Sequence, residues 1–480
     1  MLIKMYKNFI TIFYLLPVLL TSCSKNSENT ASPIIPSTAD IVLNLSINPS
    51  ERGLVISASF SGLSFETSSL VKSNYFNTNN TVFINLIKTL GTGTLRIGGN
   101  SSDKTFWANK NRMSSTSADS LFKEDLDRYF QFARATGWKT IFGLNVGTGD
   151  LLQSATEAQY ALQSADGNLL YFELGNEPDL YHSNGLRPTS YTVSNYQTDF
   201  NNYKQSILSL SPSSQFSGPA SAYNTNGFTI PFANNEHNNI ALLTQHYYAM
   251  GPAGDPSVTI DRLLTDNQTL INNVVLLNGI SQTFHFNYRI AECNSVYNGG
   301  QNGVSNTLAS ALWGADFMFT LYINGCFGVN FHGGGSGPYS PIAFTNNIFT
   351  ARPLFYGMLL FKIASQGQFM LNSFDVGTKI NCKEYTVFGN DGRYYITIIN
   401  KDLTNEVYLK VTGLPLYHSN QIIRLNASSV TSSDGIKLGN NMVDNNGNWT
   451  NANSEMAGVD NTGYQLKIPP VSIALLIVDK

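Results

Sequence analysis

The chain has 480 residues, 42% of them hydrophobic, which is enough for one large domain and a smaller one with real cores and excludes a disordered protein. Only 13% of the residues are charged and the net charge is −3. No basic stripe exists that could bind nucleic acid or a strongly sulfated polymer by counterion release, so we expect no nucleic-acid partner.

The first residues have the pattern of a targeting segment. Lys4 and Lys7 precede an apolar run over residues 9–20, which is too short to span a membrane as a permanent helix. The run ends in Leu20-Thr21-Ser22-Cys23. This stretch resembles the bacterial lipobox, in which the cysteine becomes the acylated first residue of the mature protein.

We therefore interpret residues 1–23 as a lipoprotein signal peptide with Cys23 as the lipidation site. Residues 24–38, rich in Ser, Asn and Pro, are then a flexible tether. The expected location is the bacterial cell envelope, with the protein anchored by lipid to the outer membrane and facing the periplasm or the surface. Ordinary secretion after a nearby cleavage is the alternative.

From residue 53 to residue 361, strand-like apolar runs alternate with longer helix-like segments. The strand candidates are residues 53–65, 94–99, 139–146, 171–177, 214–220, 241–248, 286–292 and 328–334. Near-continuous apolar strands alternating with helices predict a parallel sheet, and eight repeats predict a closed (β/α)₈ TIM barrel over residues 53–365. An open doubly wound sheet competes, but no GxGxxG follows the first strand, and polar clusters end at least five strands.

From residue 366 to residue 480 the period changes to short strands separated by Asn, Gly and Asp turns. This pattern predicts an all-β module, a sandwich. The run IVLNLSIN, within residues 39–52, has the same character, so we expect it to join the sandwich.

Two glutamates stand at the C-terminal ends of predicted barrel strands, where the active groups of such barrels lie. Glu177 closes the fourth strand and Glu292 the seventh. Acetal hydrolysis with retention needs a carboxyl pair about 5–5.5 Å apart, one acid for the leaving oxygen and one carboxylate to attack the anomeric carbon. A single Glu at a strand end could equally be a structural ion-pair partner, so the pair carries the prediction.

The stretch GNEP at a fourth strand, with a Glu closing a seventh, resembles the clan of retaining glycosidases built on (β/α)₈ barrels. More narrowly, FELGNEPDLY, AECNSVYNGG and VNFHGGG resemble glycoside hydrolase family 79, which contains heparanase and microbial β-glucuronidases. The likeness covers nearly all of the mature chain. It implies that Glu177 is the acid/base, that Glu292 is the nucleophile, and that Asn176 holds the sugar 2-hydroxyl.

The likeness to the clan implies that one of Tyr247 and Tyr248, in QHYYAM, donates a hydrogen bond to Glu292. Period-two alternation turns only one of the two inward. The likeness favours Tyr247, although this chain has Gln where the family motif begins with His. The alternative is a tyrosine of the barrel wall whose hydroxyl forms a hydrogen bond only because a buried hydroxyl needs a partner.

The loop Tyr297-Asn298-Gly299-Gly300 can present consecutive backbone N–H groups as an anion nest. The resemblance implies that this loop, with Tyr297 and Gly299, receives the sugar carboxylate together with Tyr339. A plain turn between a strand and a helix is the alternative.

Three further side chains have candidate roles. The resemblance places Glu66 against sugar hydroxyls on the far side of the ring, and Asp103 is a candidate for similar work; either could instead cap a loop or pair with Arg96. Cys293 follows Glu292 directly, and because successive strand residues point to opposite faces we expect it to pack outward.

Together these features predict a retaining exo-β-glucuronidase that removes terminal β-linked glucuronic acid, 4-O-methylated or not, from a glycan or glycoconjugate. We expect no cofactor, and no CxxC or ordered His/Cys spacing indicates a metal. The alternatives are another retaining clan glycosidase, such as a β-glucosidase, β-xylosidase or arabinofuranosidase, and a glycan-binding lipoprotein without activity. The sequence leaves the number of subunits open.

Overall fold

The computed structural model describes residues 41–111, 120–375, 380–416 and 419–479. The predicted signal peptide with Cys23 and the predicted tether at 24–38 lie outside these residues. Within the described ranges, no helix combines the length and the apolarity needed to cross a membrane.

Eight parallel strands close into a barrel and follow one another around it in chain order, which confirms the predicted (β/α)₈ fold. From the first to the eighth they are Gly62–Glu66, Thr94–Gly98, Lys139–Leu144, Leu169–Leu174, Phe216–Ser221, Leu242–Met250, Asn287–Val296 and Val329–Gly333. Each of the eight predicted runs contains or overlaps one of them. The C-terminal ends of all eight therefore meet at one mouth.

The α-helices of the described part pack around the barrel. They are α1 Thr81–Thr89, α2 Lys123–Thr136, α3 Leu151–Ala165, α4 Val193–Leu210, α5 Ile230–Glu236, α6 Ile260–Leu264, α7 Gln268–Phe284, α8 Leu308–Ile323 and α9 Pro353–Ala364. Helix α2 buries its apolar stripe and ends at Gly137, whose left-handed φ of 78° lets the chain turn into the third strand. Helix α8 is buried all round except at Thr320 and Ile323.

Two further sheets pack face to face. The five-stranded sheet contains, in spatial order, Ser373–Asp375, Ile41–Ser46, Val407–Thr412, Tyr464–Ile468 and Gly458–Val459. The seven-stranded sheet contains Arg52–Val55, Gly367–Met370, Cys382–Gly389, Tyr394–Asn400, Ser472–Val478, Asn420–Asn426 and Lys437–Leu438. Their facing side chains share one core, so the two sheets form a sandwich.

The seven-stranded sheet also packs against the barrel, so it is buried on both faces. In Ser472–Val478, alternate residues divide between the two cores: Ile473, Leu475 and Ile477 join the barrel side, and Ala474, Leu476 and Val478 join the sandwich interior. Lys401 crosses the boundary to Asp316 on α8 at 2.7 Å. This double burial explains the unbroken apolar sequence of the last strand.

One stretch assigned to the barrel from the sequence belongs elsewhere. We placed residues 53–65 in the first barrel strand, but Arg52–Val55 pairs with Gly367–Met370 in the seven-stranded sheet. The barrel strand begins only at Gly62. Ile41–Ser46 pairs with Val407–Thr412 and with Ser373–Asp375, so the chain runs through both sheets of the sandwich before it enters the barrel.

Candidate active site

A cleft of about 640 Å³ opens at the C-terminal mouth of the barrel, where Glu177 follows the fourth strand and Glu292 lies near the end of the seventh. One oxygen of each carboxylate lies within 4.8 Å of one oxygen of the other. The lining residues are Glu66, Asn100, Glu177, Leu180, Asn184, Ala222, Tyr223, Tyr248, Glu292, Tyr297, Asn298, Gly299, His332 and Tyr339.

The backbone of Glu177 turns sharply where the strand ends. Its φ of 50° and ψ of 53° are left-handed, a conformation that costs a residue with a β-carbon about 1 kcal/mol or more. The Glu177 N–H donates to the Ala220 carbonyl at 3.0 Å, and Pro178 begins the 3₁₀ turn Pro178–Leu180. These contacts fix the turn that delivers the carboxylate to the cleft instead of letting the strand continue.

Arg96, from the second strand, is fully buried and joins the two halves of the site. Its guanidinium donates to Glu292 at 2.5 Å and to Glu173 at 2.7 Å. It also donates to the side-chain oxygen of Asn176 at 2.9 Å and lies 3.3 Å from His246 Nε2. The ion pairs hold Arg96 positively charged, because both carboxylates stabilise the charged form against the cost of burial.

Glu292 is 6% exposed, and burial by itself would raise its pKa. The charges of His332, His246 and Arg96, with a hydrogen bond from Tyr248, outweigh burial and hold the pKa of Glu292 well below its ordinary value. Glu292 is therefore an ionised and nearly buried carboxylate, the state that a nucleophile needs.

Tyr248, not Tyr247, contacts the predicted nucleophile, which corrects the choice made from the sequence. The Tyr248 hydroxyl donates to Glu292 Oε1 at 2.8 Å. Tyr247 faces the other way and stacks on Phe317 at 5.3 Å, and its buried hydroxyl has no partner within the described ranges.

The reason is a bulge in the pairing of the sixth and seventh strands. Gln245 pairs with Ile290, but His246 pairs with Glu292, so one residue of the seventh strand, Ala291, is extra. If the pairing continued without the bulge, His246 would stand opposite Ala291 and Tyr247 opposite Glu292. With it, His246 shares the inner face with Glu292, and Tyr248, two residues on, does the same.

Cys293 pairs with Tyr247 on the outer side and is fully buried, which confirms that it packs away from the cleft. Burial raises the pKa of the Cys293 thiol well above its ordinary value, so it is not a nucleophile.

His246 and His332 stand beside the carboxylates. His246 Nδ1 lies 3.0 Å from Glu177 Oε1. His332 Nε2 lies 3.5 Å from Glu66, and its Nδ1 lies 3.6 Å from Glu292 and 2.9 Å from the Ser64 hydroxyl. Burial lowers the pKa of His332, but the charges of Glu292 and Glu66 more than offset this and raise it above its ordinary value.

Glu66 lies at the cleft, as the prediction for it requires, and about a third of its side chain is exposed. It does not pair with Arg96. Its carboxylate accepts from the Ser101 N–H at 2.9 Å and from the Ser101 hydroxyl, and a β-carbon on Gly99 would lie 2.5 Å from it. The predicted contact with sugar hydroxyls stays a prediction.

Asp103 does not reach the cleft, so its predicted role as a sugar ligand is wrong. It is 2% exposed and does not pair with Arg96. It accepts from the N–H groups of Val146, Gly147 and Asn176 and from the Tyr181 hydroxyl, at 2.8–3.1 Å. Asp103 is a positioning residue that ties the third and fourth strand ends together behind Asn176 and Glu177.

Asn176 is 3% exposed, with its side-chain oxygen on Arg96 and its amide nitrogen 3.3 Å from Asn100 Oδ1. Arg96 and Asn100 therefore fix the orientation of the amide, with the nitrogen towards Asn100, a residue of the cleft lining. The predicted contact of Asn176 with a sugar 2-hydroxyl stays a prediction.

The predicted anion loop, residues 297–300, forms another wall of the cleft. Tyr297 and Gly299 line the cleft with Tyr339. Asn298, Gly299 and Gly300 all have positive φ, and a β-carbon on Gly300 would lie 2.7 Å from Tyr339 N. Within the described part of the chain, the N–H groups of these three residues donate to no protein acceptor. They remain available to an anion.

Comparison with known proteins agrees with this geometry. The sequence profile of glycosyl hydrolase family 79, N-terminal domain, matches residues 58–318, more than half of the chain. The chain belongs to glycoside hydrolase family 79. The matched residues contain the first seven barrel strands and both strand-end carboxylates, Glu177 and Glu292.

A β-glucuronidase of Aspergillus niger is 30% identical over 262 residues, which are 46% of this chain and 47% of that protein. A β-glucuronidase of Neurospora crassa is 28% identical over 47% of this chain and 42% of its own length. The matches thus span about half of these relatives. A structure of a 4-O-α-L-rhamnosyl-β-D-glucuronidase from Fusarium oxysporum aligns over 91% of this chain and 100% of that chain, with a TM-score of 0.74 and 17% identity, which demonstrates a shared fold.

Glu177, His246 and Glu292 form a group of the kind that could hold a metal ion, with one ligand atom of each within 4.8 Å of the others. The donor set fits a cation poorly, because the Arg96 guanidinium already occupies Glu292 at 2.5 Å and lies 3.3 Å from His246. In this family 79 site the positive charge beside the carboxylates comes from the protein itself.

Arg96, His246 and His332 lie in this site, and none of the three was assigned to it from the sequence. A signal for Arg96 was available, since an arginine inside the apolar run TLRIGG must be paired when buried. His332 had a similar signal at the end of the eighth strand, in VNFHGG.

Proposed function

We propose that this family 79 glycosidase is a retaining exo-β-glucuronidase. The observation that carries the proposal is the short distance between the two carboxylates, whose nearest oxygens lie within 4.8 Å of one another. Retaining glycosidases hold their carboxyl groups about 5–5.5 Å apart, whereas inverting ones leave about 6.5–9.5 Å for a water molecule. The separation thus supports attack by a carboxylate rather than by water.

In the proposed mechanism, Glu292 attacks the anomeric carbon while Glu177 gives its proton to the glycosidic oxygen. The C–O bond to the leaving group breaks and a covalent glycosyl-enzyme forms. Glu177, now ionised, takes a proton from water, and the resulting hydroxide attacks the anomeric carbon and releases Glu292. The depressed pKa of Glu292 supports its role as nucleophile, and His246 at 3.0 Å holds Glu177 in place.

The anion loop supports a uronate as the sugar in the cleft. Asn298, Gly299 and Gly300 offer three unused N–H donors beside Tyr339. Two relatives at 28–30% identity are β-glucuronidases, which supports the same choice. A cleft of about 640 Å³ lies in the range of pockets that enclose a small ligand, which supports action at a chain end.

The roles of the glutamates are tested with Glu292→Gln and Glu177→Gln, assayed on an aryl β-glucuronide with a good leaving group. Both variants should lose nearly all turnover. Azide should restore it only in Glu177→Gln, because azide attacks the glycosyl-enzyme without needing a general base, and the nucleophile Glu292 is still present. Equal rescue of both variants, or full activity in either, would contradict the assignment.

Substrate preference is tested by comparing aryl β-glucuronide with the matching β-glucoside, β-xyloside and α-arabinofuranoside. The glucuronide should be cleaved far faster than the glucoside, because only it carries the carboxylate that the loop can bind. A preference for a neutral glycoside would assign the enzyme to another specificity of the clan, and binding without turnover would indicate a glycan-binding protein.

We also propose that the protein is a lipid-anchored envelope protein acylated at Cys23, from the Leu-Thr-Ser-Cys stretch that ends the apolar run. Expression in a bacterium fed an alkyne fatty acid should label the wild-type chain and not Cys23→Ala. Equal labelling of the two chains would place the lipid elsewhere, and no labelling would favour ordinary secretion.

A further inference from the structure

The cleft has a second side, formed by the turns that follow the fourth and fifth strands. If Glu177 protonates the leaving oxygen, as the proposed function requires, the departing group lies on this side. The residues that line it are Leu180, Asn184, Ala222 and Tyr223. Tyr223 is 69% exposed and is the most exposed aromatic residue of the cleft; Tyr297, next in order, is 39% exposed.

The backbone under Tyr223 is held firmly even though its side chain is exposed. Asp179 accepts from three successive N–H groups, those of Ala222 at 2.8 Å and of Tyr223 and Asn224 at 3.3 Å. Asp179 belongs to the 3₁₀ turn that follows Glu177 directly. One short turn therefore carries the predicted acid/base and also holds the loop that bears Tyr223.

A second contact joins the same two loops. The Glu177 N–H donates to the Ala220 carbonyl at 3.0 Å, two residues before Ala222. Because the loops are bonded at both places, the backbone of Tyr223 is held next to the backbone of Glu177. A group packed on the Tyr223 ring would thus keep its position relative to the acid.

The Tyr223 side chain itself has no competing partner. Among the residues that the structure describes, no ring stacks on it and no side chain bonds its hydroxyl. A large aromatic ring on a fixed backbone at the rim of a binding cleft is well suited to contact a ligand, because it offers apolar area with few rotatable bonds.

We propose that Tyr223 is the specificity-determining platform of the leaving-group subsite, on which the sugar that carries the glucuronate packs with the apolar face of its ring. The inference rests on the proposed function, because it takes the Glu177 side as the leaving-group side. It adds a residue and a substrate class: a glucuronate linked to another sugar ring.

The charges of the cleft specify that sugar further. The described lining contains no Lys or Arg, while Glu66, Glu177 and Glu292 are all acidic. On the leaving-group side the polar side chains are the amide of Asn184 and the hydroxyl of Tyr223. The histidine of the lining, His332, lies beside Glu66 and Glu292. On the leaving-group side a sulfate group would meet the Glu177 carboxylate without a cation among the described lining residues, so the leaving sugar is uncharged and unsulfated.

The test compares two kinds of substrate in wild type and in Tyr223→Ala. β-Glucuronyl fluoride has no leaving-group ring, whereas disaccharides of glucuronate β-linked to galactose, glucose or xylose place a neutral ring on the proposed platform. Wild type should cleave the fluoride and at least one disaccharide. Tyr223→Ala should lose about tenfold in kcat/KM on that disaccharide, mostly through KM, and less than twofold on the fluoride.

Two controls accompany the test. Tyr223→Phe keeps the ring and should retain most of the disaccharide activity, and Leu152→Ala removes an exposed apolar side chain on α3, outside the cleft lining, and should change neither rate. Equal losses of Tyr223→Ala on fluoride and disaccharide, no loss on either, or cleavage of the fluoride without any disaccharide would each overturn the inference. If wild type fails on the fluoride as well, the proposed glucuronidase function falls and the inference falls with it.

Discussion

Replacing Tyr248 by phenylalanine removes the 2.8 Å hydrogen bond to Glu292 and leaves the aromatic ring in place. A hydrogen bond to a charged group contributes about 1.5–3 kcal/mol, which corresponds to roughly one to two pKa units. The donor stabilises the ionised form, so its loss raises the pKa of Glu292. The acidic limb of the kcat/KM profile should therefore move to higher pH, because the nucleophile must be ionised to attack.

We also expect Tyr248→Phe to lower kcat/KM by about tenfold at the pH optimum, because the carboxylate loses a donor that orients it towards the anomeric carbon. The assay is a full pH profile of kcat/KM on an aryl β-glucuronide. Tyr247→Phe is the matched control, since it deletes the neighbouring hydroxyl, which is buried and has no partner in the described structure. This variant should keep the wild-type profile.

Two results would refute the reasoning. If Tyr247→Phe shifts the acidic limb and Tyr248→Phe does not, the register of the sixth strand against the seventh is not the one described here. If neither moves it, the protonation of Glu292 does not set that limb.

The remaining predictions concern stability. Lys401→Met should lower the free energy of unfolding by about 3 kcal/mol in urea denaturation, because the buried Asp316 loses its ion-pair partner. The control is Lys467→Met, which breaks the exposed ion pair with Glu406 and should lower the free energy of unfolding by less than about 1 kcal/mol. Similar losses for the two would contradict this. Burial raises the pKa of Glu157, on α3, to about 8 from 4.5. The protonated side chain therefore stabilises the fold: its contribution to the free energy of unfolding is fully present below pH 4.5 and is lost as the pH rises towards 8. Glu157→Gln should therefore raise Tm at pH 8.5 and not at pH 4.5; an equal change at both would refute the shift.

The sequence predicted the barrel and the facing pair of carboxylates because both depend on regular features. The alternation of strands and helices gives the strand count. In a closed barrel the C-terminal ends of the parallel strands all meet at one mouth. Glu177 and Glu292 could therefore be placed opposite each other without coordinates. Glu66 and Tyr339 were placed near them by the resemblance to family 79, not by this rule.

The features that were missed depend on irregular backbone or on contacts between distant residues. Tyr247 was chosen from the likeness to the family motif, and the extra residue Ala291 in the seventh strand, which brings Tyr248 to the side of Glu292, is not marked in the alternation of the sequence. From the sequence, the acidic Asp103 resembles a cleft residue. Only the fold reveals that four donors surround its carboxylate. The separation of Arg52–Val55 from the barrel likewise follows from a pairing partner more than 300 residues away.

The position of the positive charge in this site affects which ligands the cleft can bind. Arg96 lies behind the carboxylates with no exposed surface, so its charge holds Glu292 ionised but is shielded from ligands. The cleft surface itself carries carboxylates, amides, tyrosines and His332, which lies beside Glu66 and Glu292. A sugar carboxylate can then be bound by aligned N–H dipoles, as the 297–300 loop offers, together with Tyr339, and these require close and well-shaped contact. Such a site admits one anionic group at one position and disfavours further negative charge elsewhere, including on the sugar beside Tyr223.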